Sequence, residues 1–93
     1  MDIERLTPLS RDLLRQALPE GQLVNVLYRD GTRVETGFER ERRCFALGER
    51  GWLSFAGWEG QPSEGADYLS RWRLTGAAQA LLSDDRLFAG RER

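Results

Sequence analysis

Histidine and lysine are both missing from this chain, and cysteine occurs once. A single cysteine cannot close an internal disulfide, which sets the expectation of a reducing, cytoplasmic setting. One thiol without any imidazole excludes a zinc site of the usual ligands, and with it the triad and histidine-relay mechanisms. No apolar run approaches the roughly 18 residues of a membrane span. The opening Met1-Asp2-Ile3-Glu4-Arg5 is acidic and has no apolar core of a signal peptide. An excess of either charge is lacking too. Fourteen basic residues face fifteen acidic ones, for a net charge of -1. No global field draws the chain to nucleic acid or anionic lipid.

What remains is a chain of 93 residues, 40% hydrophobic and 31% charged. That balance is globular, and the length predicts one domain, 1–93. Every basic residue is arginine. Two origins fit: a GC-rich bacterial or phage genome, since arginine codons are GC-rich and lysine codons AT-rich, or selection against lysine. Either way the surface favours bidentate ion pairs and stacking on aromatic rings.

The periodicity predicts a short N-terminal helix. Leu6, Leu9, Leu13, Leu14, Ala17 and Leu18 share one helical face. Thr7 with Pro8, or alternatively Ser10, supplies the start, and Pro19-Glu20-Gly21 the stop. Gln22 to Arg29 reads as a strand, followed by a tight turn at Asp30-Gly31 and a second strand over Thr32 to Phe38. Glu39-Arg40-Glu41-Arg42 reads as a charged loop or solvated crossing. A third strand is expected over Arg43 to Leu47, a hairpin turn at Gly48-Glu49-Arg50-Gly51, and a fourth strand over Trp52 to Ala56. Gly57 to Asp67 reads as a long glycine-rich loop. Tyr68, Ser70, Trp72 and Leu74 alternate against Leu69, Arg71 and Arg73. That alternation favours a fifth strand over the helical alternative, with Gly76 breaking the latter. A helix capped by Thr75 then covers Ala77 to Leu82. Beyond it, Ser83-Asp84-Asp85 interrupts or restarts the helix, Leu87-Phe88 gives a last apolar contact, and Gly90 to Arg93 frays. The expected fold is α+β: a short N-terminal helix, a four- or five-stranded antiparallel sheet and a C-terminal helix. Closure into a small SH3-like barrel is an alternative.

Motifs for chemistry are sparse. Cys44 lies beside Phe45 in an apolar tract and reads as a core residue; nucleophilic use would need a base that the chain does not contain. Asp84-Asp85 and Glu39/Glu41 read as solvated charge. The glycines lack phosphate-loop or dinucleotide spacing. Trp52 and Trp72 are expected in the core. Two features suit binding. Trp58 sits in the glycine-rich segment, where a core role is hard to arrange; it is either an exposed contact residue or a lid over the sheet end. Arg40, Arg42 and Arg43 form the densest basic run. From 29 to 50, however, six arginines (29, 33, 40, 42, 43, 50) face five acids (30, 35, 39, 41, 49). A phosphate-binding surface needs a clearer excess.

These observations predict a small non-catalytic module that binds another protein: an adaptor, an inhibitor or a regulatory subunit. Trp58, Arg40, Arg42 and Arg43 are its expected contacts, with no catalytic residue, metal or cofactor. The alternative is a single-stranded nucleic-acid binder using the Arg33–Arg50 segment. A small enzyme built on Cys44 or a carboxylate is the third reading. A homodimer through the N-terminal helix face is a further option.

Overall fold

A computed structural model describes residues 3–83 of the chain. A single 3-10 turn, Ile3–Arg5, leads into α1, Pro8–Ala17. Thr7 is the N-cap: its Oγ1 accepts from the Ser10 amide at 3.1 Å, and Pro8 stands where its missing N–H is harmless. Leu6, Leu13, Leu14 and Ala17 enter the core as the periodicity predicts. Leu9 does not; it remains 58% exposed.

β1, Gln22–Arg29, turns through Asp30-Gly31 into β2, Thr32–Arg33. Asp30 and Gly31 have φ of 52° and 79°, the doubly left-handed turn that an Asp-Gly pair favours. The expected second strand over 32–38 stops after Arg33. Neither the charged loop at 39–42 nor the third strand over 43–47 forms. One helix, α2, Glu35–Glu49, occupies that whole stretch. Its buried residues are Gly37, Glu41, Cys44 and Leu47, a helical face disguised by its composition. Glycine and glutamate do not register in an apolar pattern, and the glycines read as breaks. The Glu-Arg-Glu-Arg-Arg run is made of good helix formers. The presumed hairpin at 48–51 is the helix terminus. There the Trp52 amide bonds the Leu47 carbonyl at 3.0 Å and the Gly51 amide bonds Gly48 at 3.1 Å, with Gly51 at φ 85°. These two bonds satisfy carbonyls that the helix leaves open, and Leu47 and Trp52 both enter the core.

β3, Leu53–Gly60, runs further than expected, so Trp58 belongs to a strand and the loop shrinks to 61–66. β4, Asp67–Leu74, is the predicted strand. α3, Gly76–Ser83, follows with Thr75 as its cap, the Ala78 amide donating to Thr75 Oγ1 at 3.1 Å. The features expected at 84–93 lie outside the described residues.

The four strands form one antiparallel sheet in the order β2-β1-β4-β3. β2 and β3 lie at opposite edges, so the sheet is open and no barrel closes. α2 covers one face, with the α1 leucines joining Leu47, Trp52, Trp72, Ala78 and Leu82 in a single core. Gly37 sets the distance between helix and sheet: a Cβ there would fall 1.8 Å from the Val26 carbonyl oxygen.

Candidate functional site

The centre of the helix–sheet interface is polar. β1 buries Leu23, Asn25 and Leu27; β4 buries Ser70, Trp72 and Leu74. Asn25 and Ser70 lie directly opposite each other, and α2 lowers Glu41 onto both. Glu41 is 5% exposed. Its Oε1 accepts from Asn25 Nδ2 (2.8 Å), Ser70 Oγ (2.5 Å) and Trp72 Nε1 (2.9 Å). Its Oε2 is buried and has no partner among the described residues. Asn25 Oδ1 accepts from Arg40 Nε at 3.0 Å, and Arg40 Nη1 reaches Gln16 Oε1 of α1 at 2.9 Å. One amide thus separates the buried carboxylate from its nearest bonded cation. Three elements of the fold meet around a group that is costly to bury unpaired.

Cys44 lies next to this cluster, its sulfur 3.5 Å from Asn25 Nδ2. It is wholly buried. Burial pushes the thiol above its ordinary range; the Asn25 contact pulls it down, Glu41 pushes it up and Arg40 pulls it down by smaller amounts. Such a site favours the inert thiol over a reactive thiolate.

Outward from Glu41, aromatic rings form a continuous chain on the α2 side of the sheet. It begins on α2, where Phe38 meets Tyr28 edge-on at 5.7 Å. Tyr28 meets Tyr68 at 6.3 Å, and Tyr68 stacks on Trp58 at 5.5 Å with 16° between planes. Trp58 meets Phe55 at 4.8 Å, Phe55 meets Trp72 at 5.2 Å, and Trp72 returns to Phe45 of α2 at 5.0 Å. Two β-bulges permit this. β1 slips register between Val26 and Tyr28, and β3 between Phe55 and Gly57. Each bulge shifts the alternation by one residue and turns an aromatic, Tyr28 or Trp58, onto the helix side. Strict alternation along the sequence places these rings on the wrong face, so the chain was not legible there.

The outer part of this aromatic surface is uncovered. Trp58 is 48% exposed, Phe55 43% and Phe45 49%. Phe45, Leu53, Phe55 and Trp72 line an open apolar groove of about 360 Å³, with Gly48, Glu49 and Ser54 at its rim. Among the described residues no strand pairs with the outer edge of β3. On the other face Glu59 pairs with Arg71 at 2.6 Å, and that guanidinium holds the Glu59 carboxyl below its usual range.

The arginines lie elsewhere. Arg40 is drawn into the Asn25–Gln16 network and serves the fold. Arg42 and Arg43 face a groove between α1 and α2, together with Thr7, Ser10, Glu39, Ala46 and Arg50. Arg33 is held by Glu35 at 2.7 Å and lies 3.7 Å over the Phe38 ring. Trp58 and the arginine run, expected as one contact surface, thus occupy opposite flanks of α2. Among the described residues no cluster of three or more histidine, cysteine or acidic residues could hold a metal ion, and no helix is long and apolar enough to cross a membrane. The chain matches no family model, no curated protein and no solved structure.

Proposed function

We propose that this chain is a non-catalytic protein-interaction module that takes an extended segment of a partner protein onto β3. One observation carries the reading. β3 is an eight-residue edge strand whose two aromatic side chains, Phe55 and Trp58, stand on one face and remain exposed. A free edge offers unpaired N–H and C=O groups in register for another strand. Natural edges are guarded by lysine, proline or inward charge. β3 has none of these, its one charged residue, Glu59, is already paired, and its one protective device is the bulge between Phe55 and Gly57. Its bulge bends the edge and limits long, flat pairing, which suits one short segment. The groove lined by Phe45, Leu53, Phe55 and Trp72 lies beside that edge and supplies a site for an apolar side chain of the incoming strand. Tryptophan anchors of this kind dominate binding energy at many interfaces.

Single-stranded nucleic acid has less support. A base-stacking surface and its guanidiniums should share a groove; here α2 stands between the exposed rings and Arg42, Arg43 and Arg50, and Arg33, over Phe38, is already paired with Glu35.

The test uses peptides selected from a random displayed library against the full chain. Amide exchange on peptide binding should slow at 53–60. Trp58→Ala should weaken binding at least about tenfold while Tm stays within a few degrees, since the ring is half exposed. Protection confined to α1 or α2, or unchanged affinity in a folded Trp58→Ala chain, overturns the assignment.

A further inference from the structure

The opposite flank of α2 carries a second surface that the β3 reading does not use. Arg42 and Arg43 on α2 and Arg50 at its C-cap line one groove of about 550 Å³ against α1. None of the three makes an ion pair or side-chain hydrogen bond among the described residues. Three other guanidiniums are engaged, Arg33 with Glu35, Arg71 with Glu59 and Arg40 with Asn25 and Gln16; Arg29 and Arg73 share the unpaired state but line no common groove with one another. Glu39 stands one helical turn before Arg43 and lines the same groove, yet lies beyond ion-pair distance of it. The wall opposite is the start of α1, whose first turn has no acidic residue to balance the positive end of the helix. Thr7 and Ser10 bring hydroxyls to that wall. The groove continues past Arg43 to Leu9, the one α1 leucine left exposed, with Asp12 and Glu39 alongside.

We propose that this groove docks an acidic segment of a protein partner, with carboxylates on Arg42, Arg43 and Arg50 and an apolar side chain on Leu9. Charge complementarity selects the occupant. Three unpaired guanidiniums favour planar oxyanions, which they bind bidentately. The lining holds no aromatic ring on which a base could stack, and Glu39 and Asp12 interrupt the positive surface. A continuous phosphate backbone would meet both carboxylates; a peptide carries its charges at discrete positions and avoids them. This docking is independent of the β3 edge and uses other residues throughout.

The probe is a fluorescent peptide of mixed glutamate and leucine, titrated into the full chain at low salt. A lysine–leucine peptide of the same pattern and a thymidine oligonucleotide serve as comparisons. The acidic peptide should bind, and the combined Arg42→Gln, Arg43→Gln, Arg50→Gln variant should lose at least about tenfold in affinity. None of the three has an ion-pair or hydrogen-bond partner among the described residues, so Tm should hold. The matching lysine variant restores the charge but not the bidentate fork and should recover only part of the binding, and Trp58→Ala should leave it unchanged. Leu9→Ser should weaken the acidic peptide and not an oligoglutamate. Should the glutamine variant fail to fold, Leu9→Ser and the comparison peptides in the wild-type chain decide the matter. No binding of the acidic peptide, equal binding of the lysine peptide, or preference for the oligonucleotide with a steep salt slope overturns the proposal.

Discussion

Glu41 shows how a single residue can define a fold by being awkward. A buried carboxylate is costly unless its hydrogen bonds are made, and here its donors come from three fixed points on β1 and β4. Shifting α2 by one residue along its axis would rotate Glu41 away from Asn25, Ser70 and Trp72 and leave every one of them unsatisfied. The polar centre therefore selects one seating of the helix, beyond what apolar packing specifies. Cys44 shares this environment and provides a readout. Burial raises its pKa in the folded chain, so between the unfolded and folded values the native state holds the extra proton. Its stabilising contribution is complete below the unfolded value of about 8.5 and is lost as pH rises above it. Urea denaturation at pH 7 and pH 10 should therefore show wild type losing stability relative to Cys44→Ala at the higher pH. A difference independent of pH would mean that the thiol ionises freely in the native fold.

At the scale of elements, α2 depends on close approach. Gly37 lies against the β1 backbone, where an added Cβ meets a carbonyl oxygen that cannot swing aside. Gly37→Ala gains up to about 1 kcal/mol of helix propensity but forces the helix off the sheet, and overpacking of this kind costs about 1–3 kcal/mol or more. The helix displacement also loosens Glu41, so net destabilisation of about 2 kcal/mol is expected by chemical denaturation. Gly76→Ala is the counterpart. It begins α3, with open space around the added methyl, and should be neutral or stabilising by up to about 1 kcal/mol. Equal effects of the two changes would show that α2 is not held at this contact. Gly37 and Gly48 of α2 also explain why that helix was hidden. A face reading Gly, Glu, Cys, Leu at helical spacing carries little hydrophobic periodicity, and alternation of Phe45 and Leu47 imitated a strand.

The described residues share one core, to which α1, α2 and α3 all contribute. Leu13, Leu14 and Ala17 of α1 lie in the same cluster as Leu47, Trp52 and Trp72, with Ala78 and Leu82 of α3. Among the described residues there is no second core to compensate for a lost element. Deleting residues 1–18 should therefore abolish cooperative thermal unfolding. A folded, cooperative truncated chain would show α1 to be an accessory. The same arrangement commits most of the α1 apolar face to the interior, which leaves Leu9 as the part available for contact with a second chain. The two surfaces proposed for binding then lie apart: an aromatic strand edge on one flank of α2 and a basic groove on the other.

Local signals by themselves determined the caps of α1 and α3 and the turn between β1 and β2. Thr7-Pro8, Asp30-Gly31 and Thr75 each act through their own backbone and near neighbours, so their structure follows from their chemistry. β4 was legible because its alternation of Tyr68, Ser70, Trp72 and Leu74 runs without a bulge against the core. Tertiary structure alone decided α2, because its buried face is apolar nowhere except at Cys44 and Leu47 and makes sense only when Asn25 and Ser70 are brought beneath Glu41 from 16 and 29 residues away. It also decided the candidate site. Trp58 was legible as an unusual exposed aromatic, but its stacking on Tyr68 depends on a bulge in β3, and its separation from Arg42 and Arg43 depends on a helix standing between them. Those are properties of strand register and helix placement, which no local stretch of residues encodes.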